Sequence, residues 1–177
     1  MSTSPPLPFQ TKIYDIGICR LKDGTTAAAT MTPLQAGDAD RLGAAFADID
    51  PWKRYPFQAS SLSAYFSKVE SDAPRFALRA GESLAGVVGL RLNWLRGPYL
   101  QFLGVLPAFQ SAGLGALTLT WLAAEAKSSG ARNVFVCASD FNAGAIAFYE
   151  RNGFARVGDL DDLVQPGMTE VLLRRKV

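Results

Sequence analysis

The stretch Leu103 to Gly115, LGVLPAFQSAGLG, decides the reading of this chain. Tyr99 to Val105 has strand character, and Pro107, which has no N–H to give a ladder, ends it. From Ala116 to Lys127 the apolar residues Leu117, Trp121 and Ala124 recur at helical spacing. Gln110, Ser111, Ala112, Gly113, Leu114 and Gly115 therefore form a loop between a strand and a helix. Gly113 and Gly115 carry no side chains, so the loop exposes backbone N–H groups at the positive end of a helix dipole, which is how a phosphate site is built.

Reading downstream, Gly130 is a helix stop and NVFVCA, Asn133 to Ala138, is a short apolar run suited to a strand buried on both faces beside a parallel neighbour. Asn142 stands where a helix cap belongs, Gly153 closes that helix, and strands follow near Ala155 to Gly158 and Thr169 to Arg174. Upstream, Ile13 to Leu21 and Thr25 to Met31 flank Asp23-Gly24, a two-residue hairpin signal. A helix is expected over Asp38 to Ile49, then an aromatic loop, Pro51 to Phe57, then a helix with Leu62, Phe66 and Val69 on one face. Arg75 to Arg79, Leu84 to Leu92 and Tyr99 to Val105 read as a meander with turns at Ala80 to Glu82 and Arg96 to Pro98. The order is mixed α/β: an antiparallel front half, one right-handed crossover and a final hairpin. One domain over residues 11–177 is expected, after a loose Ser/Pro-rich tail at 1–10.

Composition narrows the chemistry. Eighteen basic against sixteen acidic residues give no electrostatic case for nucleic acid or an anionic membrane. No apolar run approaches the roughly 20 residues that span a bilayer, and no secretory signal is visible, so a cytoplasmic protein is expected. Cys19 and Cys137 lie in strand-like runs, where a thiol is usually a small buried hydrophobe. Histidine is absent, which removes Ser-His and Cys-His nucleophiles and imidazole metal sites; no metal is expected.

Three cofactor classes compete for the loop. A nucleotide P-loop needs Lys followed by Ser or Thr, whereas Ala116-Leu117 follows Gly115. A dinucleotide fingerprint could use GLGALT, Gly113 to Thr118, with Asp140 on the ribose, but Leu106 to Ala112 separate its first glycine from the strand. The third reading rests on wider agreement. LGVLPAFQSAGLG is similar to motif A of the GNAT acetyltransferase superfamily, and FNAGAIAFYERNGF, Phe141 to Phe154, resembles its second signature. The likeness covers the chain except about the first 24 residues.

The resemblance implies a single mixed, mostly antiparallel sheet whose central parallel pair splays into a V-shaped cleft flanked by helices. It implies acetyl-CoA, or another acyl-CoA, as co-substrate, and transfer of the acyl group to an amine by direct attack in a ternary complex. Backbone groups of Leu103 and Val105, at a strand bulge, would pair with the pantetheine arm, and Val105 N–H would polarise the thioester carbonyl. The loop Gln110 to Gly115 would hold the pyrophosphate through backbone N–H groups, since Ser111 and Ala112 replace the family's basic residues. Tyr149 would protonate the leaving thiolate, Asn142 would contact the pantetheine amide or simply cap its helix, and Trp52 and Tyr55 would line the acceptor pocket. The strand before motif A offers Gln101, which cannot take a proton, so no base is assigned. Asp50, Asp161, Asp162 and Glu170 are within possible reach but read as solvated surface charges. The missing base keeps a non-catalytic acyl-CoA sensor open beside the enzyme. The acceptor is a small-molecule or peptide amine, and an exposed edge strand in the C-terminal hairpin could pair across a homodimer.

Overall fold

The computed structural model describes residues 9–10 and 12–177. Residues 1–8 of the expected tail lie outside these; Phe9 is buried edge-on against Trp121, with its N–H donated to Glu125 at 2.7 Å. Strands β1 (Tyr14–Arg20) and β2 (Thr26–Pro33) form the first hairpin. Its loop has three residues rather than two: Leu21 N–H donates to Thr25 O, and Gly24 takes the left-handed φ of 87° that such a loop places last.

Helices α1 (Ala36–Ala47) and α2 (Ala59–Ser67) follow and cover one face of the sheet with Leu42, Phe46, Leu62 and Phe66. Val69 does not join that face: Lys68 is already extended at ψ 128°, so the helix ends first and Val69 is 96% exposed. Strands β3 (Arg75–Ala80), β4 (Ser83–Trp94) and β5 (Gly97–Val105) make the meander. The β4–β5 turn is Leu95-Arg96, both left-handed, one step before the expected Arg96-Gly97-Pro98. Gly97 is needed for closeness instead, because a Cβ there would lie 2.0 Å from the Asn133 carbonyl oxygen.

Helix α3 (Leu114–Ser128) carries the chain across to β6 (Asn133–Ser139). It ends at Gly130, φ 77°, with Gly130 N–H on Lys127 O and Ala131 N–H on Ala126 O. Its buried ridge is Leu114, Thr118, Leu122 and Ala126, beside Leu119 and Trp121, while Ala124 of the expected stripe faces solvent. Thr118 hid that ridge in the sequence; its hydroxyl is satisfied by Leu114 O at 2.9 Å, so the residue buries as an apolar one. Helix α4 (Ala143–Arg151) and strands β7 (Ala155–Asp161) and β8 (Thr169–Lys176) complete the fold.

Among the described residues eight strands form one sheet in the order β1-β2-β3-β4-β5-β6-β8-β7, with β5–β6 their one parallel pair. That pair is brief. Tyr99 meets Phe135 and Leu100 meets Val136, and no pairing follows. On β5, Gln101 is an extra residue between the pairs Leu90–Leu100 and Gly89–Phe102, and such a bulge bends its strand. From there β5 stays with β4 while β6 stays with β8 as far as Ser139–Glu170, so the two halves of the sheet part into a V. Edge strand β7 exposes Val157 at 53%. Among the described residues no helix is long and apolar enough to cross a membrane.

The close contact at the root of the V is testable. Gly97→Ala should cost about 1–3 kcal/mol, a fall in melting temperature of roughly 2–12 °C. An unchanged melting temperature would mean that β5 and β6 do not approach each other as described.

Candidate functional site

A cavity of about 600 Å³ fills the V. Tyr99 to Leu103 of β5 and Val136 to Ser139 of β6 form its sides, Asn142 and Tyr149 of α4 lie on one flank, and Trp52, Tyr55 and Tyr65 on the other. The bulge expected at Leu103 and Val105 sits earlier, at Gln101. Leu103 and Val105 still present their backbone to the cleft. Leu106 N–H donates to Ala85 O at 2.8 Å, and Val87 pairs with Gly104, so with a period of two the odd-numbered residues turn their N–H groups away from β4, to the side β6 has left.

Just beyond, a single 3-10 turn, Pro107–Phe109, leads into the loop. Gln110 Nε2 reaches back to Val105 O at 3.2 Å. Ser111 and Gly113 are both left-handed, φ 67° and 88°, and Ala112 is buried with its carbonyl accepting Arg20 N–H at 3.1 Å. The first donor inside α3 is Leu117, onto Gly113 O, so the N–H groups of Leu114, Gly115 and Ala116 have no intrahelical acceptor. The Leu114 side chain packs in the core, and Gly115 lies against Phe148, where a Cβ would stand 2.9 Å from the ring. These two residues thus offer the cleft backbone only.

Asn142 Oδ1 caps α4 by accepting Ala145 N–H at 3.1 Å, and the residue also lines the cavity. Tyr149 is buried, and burial together with the nearby Cys137 raises its phenol above the usual range, so it holds its proton at neutral pH. Burial raises the Cys137 thiol and the Tyr99 phenol in the same way. Trp52 stacks on Phe102 at 4.7 Å and forms a wall. Tyr55 is less a wall than a clamp.

The residue that sequence reasoning misplaced is Glu170. It is not a solvated charge but 6% exposed, with Oε1 accepting the Tyr55 hydroxyl at 2.5 Å and the Ser139 hydroxyl at 2.9 Å. The Tyr55 and Ser139 hydroxyls also touch each other. Burial and then the Glu170 contact push the Tyr55 phenol up to about 12. Glu170 is the only carboxyl or cationic side chain among the described residues lining the cavity. The signal that could have found it, the cross-strand pair Ser139–Glu170, depends on a register that no local pattern states. The other acidic candidates are on the surface: Asp50 pairs with Lys53 and Arg54, Asp161 accepts from Thr169 and Asp162 from Gly167.

A second line of contacts supports the bulge. Tyr65 donates to Gln101 Oε1 at 3.0 Å, the Arg75 guanidinium lies 4.4 Å over the Tyr65 ring, and Arg75 pairs with Glu70 at 2.8 Å. The hydrogen bonds from Arg75 and Lys68 hold Glu70 down at about 2. A depressed carboxylate stabilises above its unfolded range and loses that contribution as pH falls. Wild-type stability should therefore drop between about pH 4.5 and 2, and Glu70→Gln should flatten that limb in melts recorded from pH 2 to 7. Parallel acid limbs would remove Glu70 from the support.

Comparison with known proteins places the family and the fold. The chain matches the family described as Acetyltransferase (GNAT) family over residues 41–154. No curated protein matches it. Among solved structures, the ribosomal-protein-S18-alanine N-acetyltransferase of Escherichia coli is similar at a TM-score of 0.66 and 18% identity, over 84% of this chain and 94% of that one. An acetyltransferase from Thermus thermophilus gives 0.67 and 20% identity, over 84% and 97%. A chimeric spermidine N-acetyltransferase built on the Vibrio cholerae protein gives 0.67 and 18%, over 84% and 95%. At such identities the likeness is one of fold.

Proposed function

This chain belongs to the GNAT acetyltransferase family, and from that premise we propose that it transfers an acetyl group from acetyl-CoA to an amine by direct attack while both are bound. The observation that carries the reading is the opening of β5 from β6 beside the start of α3, which leaves unpaired backbone donors in line with a cavity that Tyr149 and Glu170 both face. The donor set fits the co-substrate: unpaired N–H groups at a helix start suit a pyrophosphate, and the free edge of β5 suits an amide-bearing arm laid along it. When bound, acetyl-CoA supplies the activated acyl carbon.

In this reading the N–H of Val105 donates to the oxygen that becomes negative as the amine adds, a contribution worth about 3 kcal/mol for a preorganised donor. Glu170 takes the proton that an ammonium must shed before its nitrogen can attack. Tyr149, kept neutral by burial, gives its proton to the departing thiolate. The buried carboxyl is a candidate base within the cleft and favours the enzyme over a non-catalytic sensor.

Release of free CoA thiol across a broad panel of amines tests the reading. Tyr149→Phe should lower kcat by roughly ten- to a few hundredfold with acetyl-CoA affinity unchanged. No turnover with any amine, despite tight acetyl-CoA binding, would replace the enzyme with a sensor. The loop has its own test. A Cβ at Gly113 meets no protein atom within 4 Å, so Gly113→Val acts through the left-handed φ of 88° rather than a clash. The variant should stay folded and bind acetyl-CoA more than about tenfold more weakly, through lost N–H alignment; wild-type affinity would contradict the phosphate role.

A further inference from the structure

We propose that the acceptor is a small primary amine that binds as an ammonium ion on Glu170 Oε2, with an apolar or aromatic body and no carboxylate of its own. The inference rests on the acyl-transfer reading for its purpose, but on different atoms. Both hydroxyl donors, from Tyr55 and Ser139, go to Oε1. Among the described residues none donates to Oε2, and Oε2 is not among the sealed, partnerless atoms, which are Arg75 Nε and Trp121 Nε1. One oxygen of a residue that lines the cavity is therefore held in place, while the other accepts from no described residue. A carboxylate so enclosed is costly until a cation reaches it.

The walls define the rest of the ligand. Trp52, Phe57 and Tyr65 present aromatic surface, and Leu163 and Val164 add exposed apolar side chains to the lining. Ring faces attract an alkylammonium and pack against an apolar body. What the lining lacks decides against amino acids: no described lining residue is Lys or Arg, so a ligand carboxylate would be buried beside Glu170 without a countercharge. Space limits size, because the same 600 Å³ must also receive the acyl end of the co-substrate.

The test compares 2-phenylethylamine with L-phenylalanine, which adds only a carboxylate to the same body. Each is titrated calorimetrically into the full chain in the presence of CoA. Phenylethylammonium should bind, and phenylalanine should bind at least about a hundredfold more weakly, as for a like charge buried without a partner. Glu170→Gln should weaken phenylethylammonium by at least roughly thirtyfold, as when one partner of a buried charge pair is lost. Comparable affinity for the two ligands, no binding of the amine, or undiminished binding to Glu170→Gln overturns the proposal. Should that variant not fold, the wild-type comparison decides alone. Thiol release from acetyl-CoA in parallel samples separates the two readings. Glu170-dependent amine binding without thiol release from any amine of the panel upholds this site and ends the acyl-transfer reading; thiol release that prefers phenylalanine does the reverse.

Discussion

The parallel ladder between β5 and β6 stops after Leu100–Val136 because Gln101 is one residue too many for β5, and the site depends on that interruption. A sheet normally satisfies every interior N–H and C=O through its neighbour. Here the neighbour turns away, and the odd-numbered donors of β5 are left facing a cavity instead of a strand. The root of the V is pressed shut where Gly97 meets Asn133, and Trp52 stacks on Phe102 along its β5 wall. The Tyr65–Arg75–Glu70 chain holds the Gln101 side chain, and with it the bend, from the α2 side.

Into that gap the fold delivers charge sparingly. The half-buried phenol of Tyr99, the buried phenol of Tyr149 and the Cys137 thiol are all raised, so they remain neutral. Among the described residues that line the cavity, Glu170 alone brings a carboxyl, clamped on one oxygen by hydroxyls from two other parts of the chain, the Pro51 to Phe57 loop and β6. Such a group is a poor way to stabilise a fold and a good way to select a cation.

Much of this was legible in the sequence, and the limits are instructive. Pro107, the glycines at 113 and 130, and the Asn142 cap act through their own backbone or nearest neighbours, so their effects can be read in place. Tyr149, Trp52 and Tyr55 line one cavity. Where the reading failed, the cause lay elsewhere in the chain. Gly97 looked like a turn residue but serves contact with Asn133; Thr118 looked polar but bonds its own helix; Glu170 looked like a surface charge but is paired through a β6–β8 register. The bulge escaped for the same reason, since only the partner strand reveals that Gln101 is unpaired.

The proposed function requires the free edge of β5 and the start of α3 to be one continuous binding track, and amide hydrogen exchange with and without acetyl-CoA measures that directly. Bound acetyl-CoA should slow exchange at Leu103, Val105 and Gly113 to Ala116, while leaving β1–β2 and the outer edge of β7 unchanged. Protection confined to other strands, or none at saturating acetyl-CoA, would contradict it.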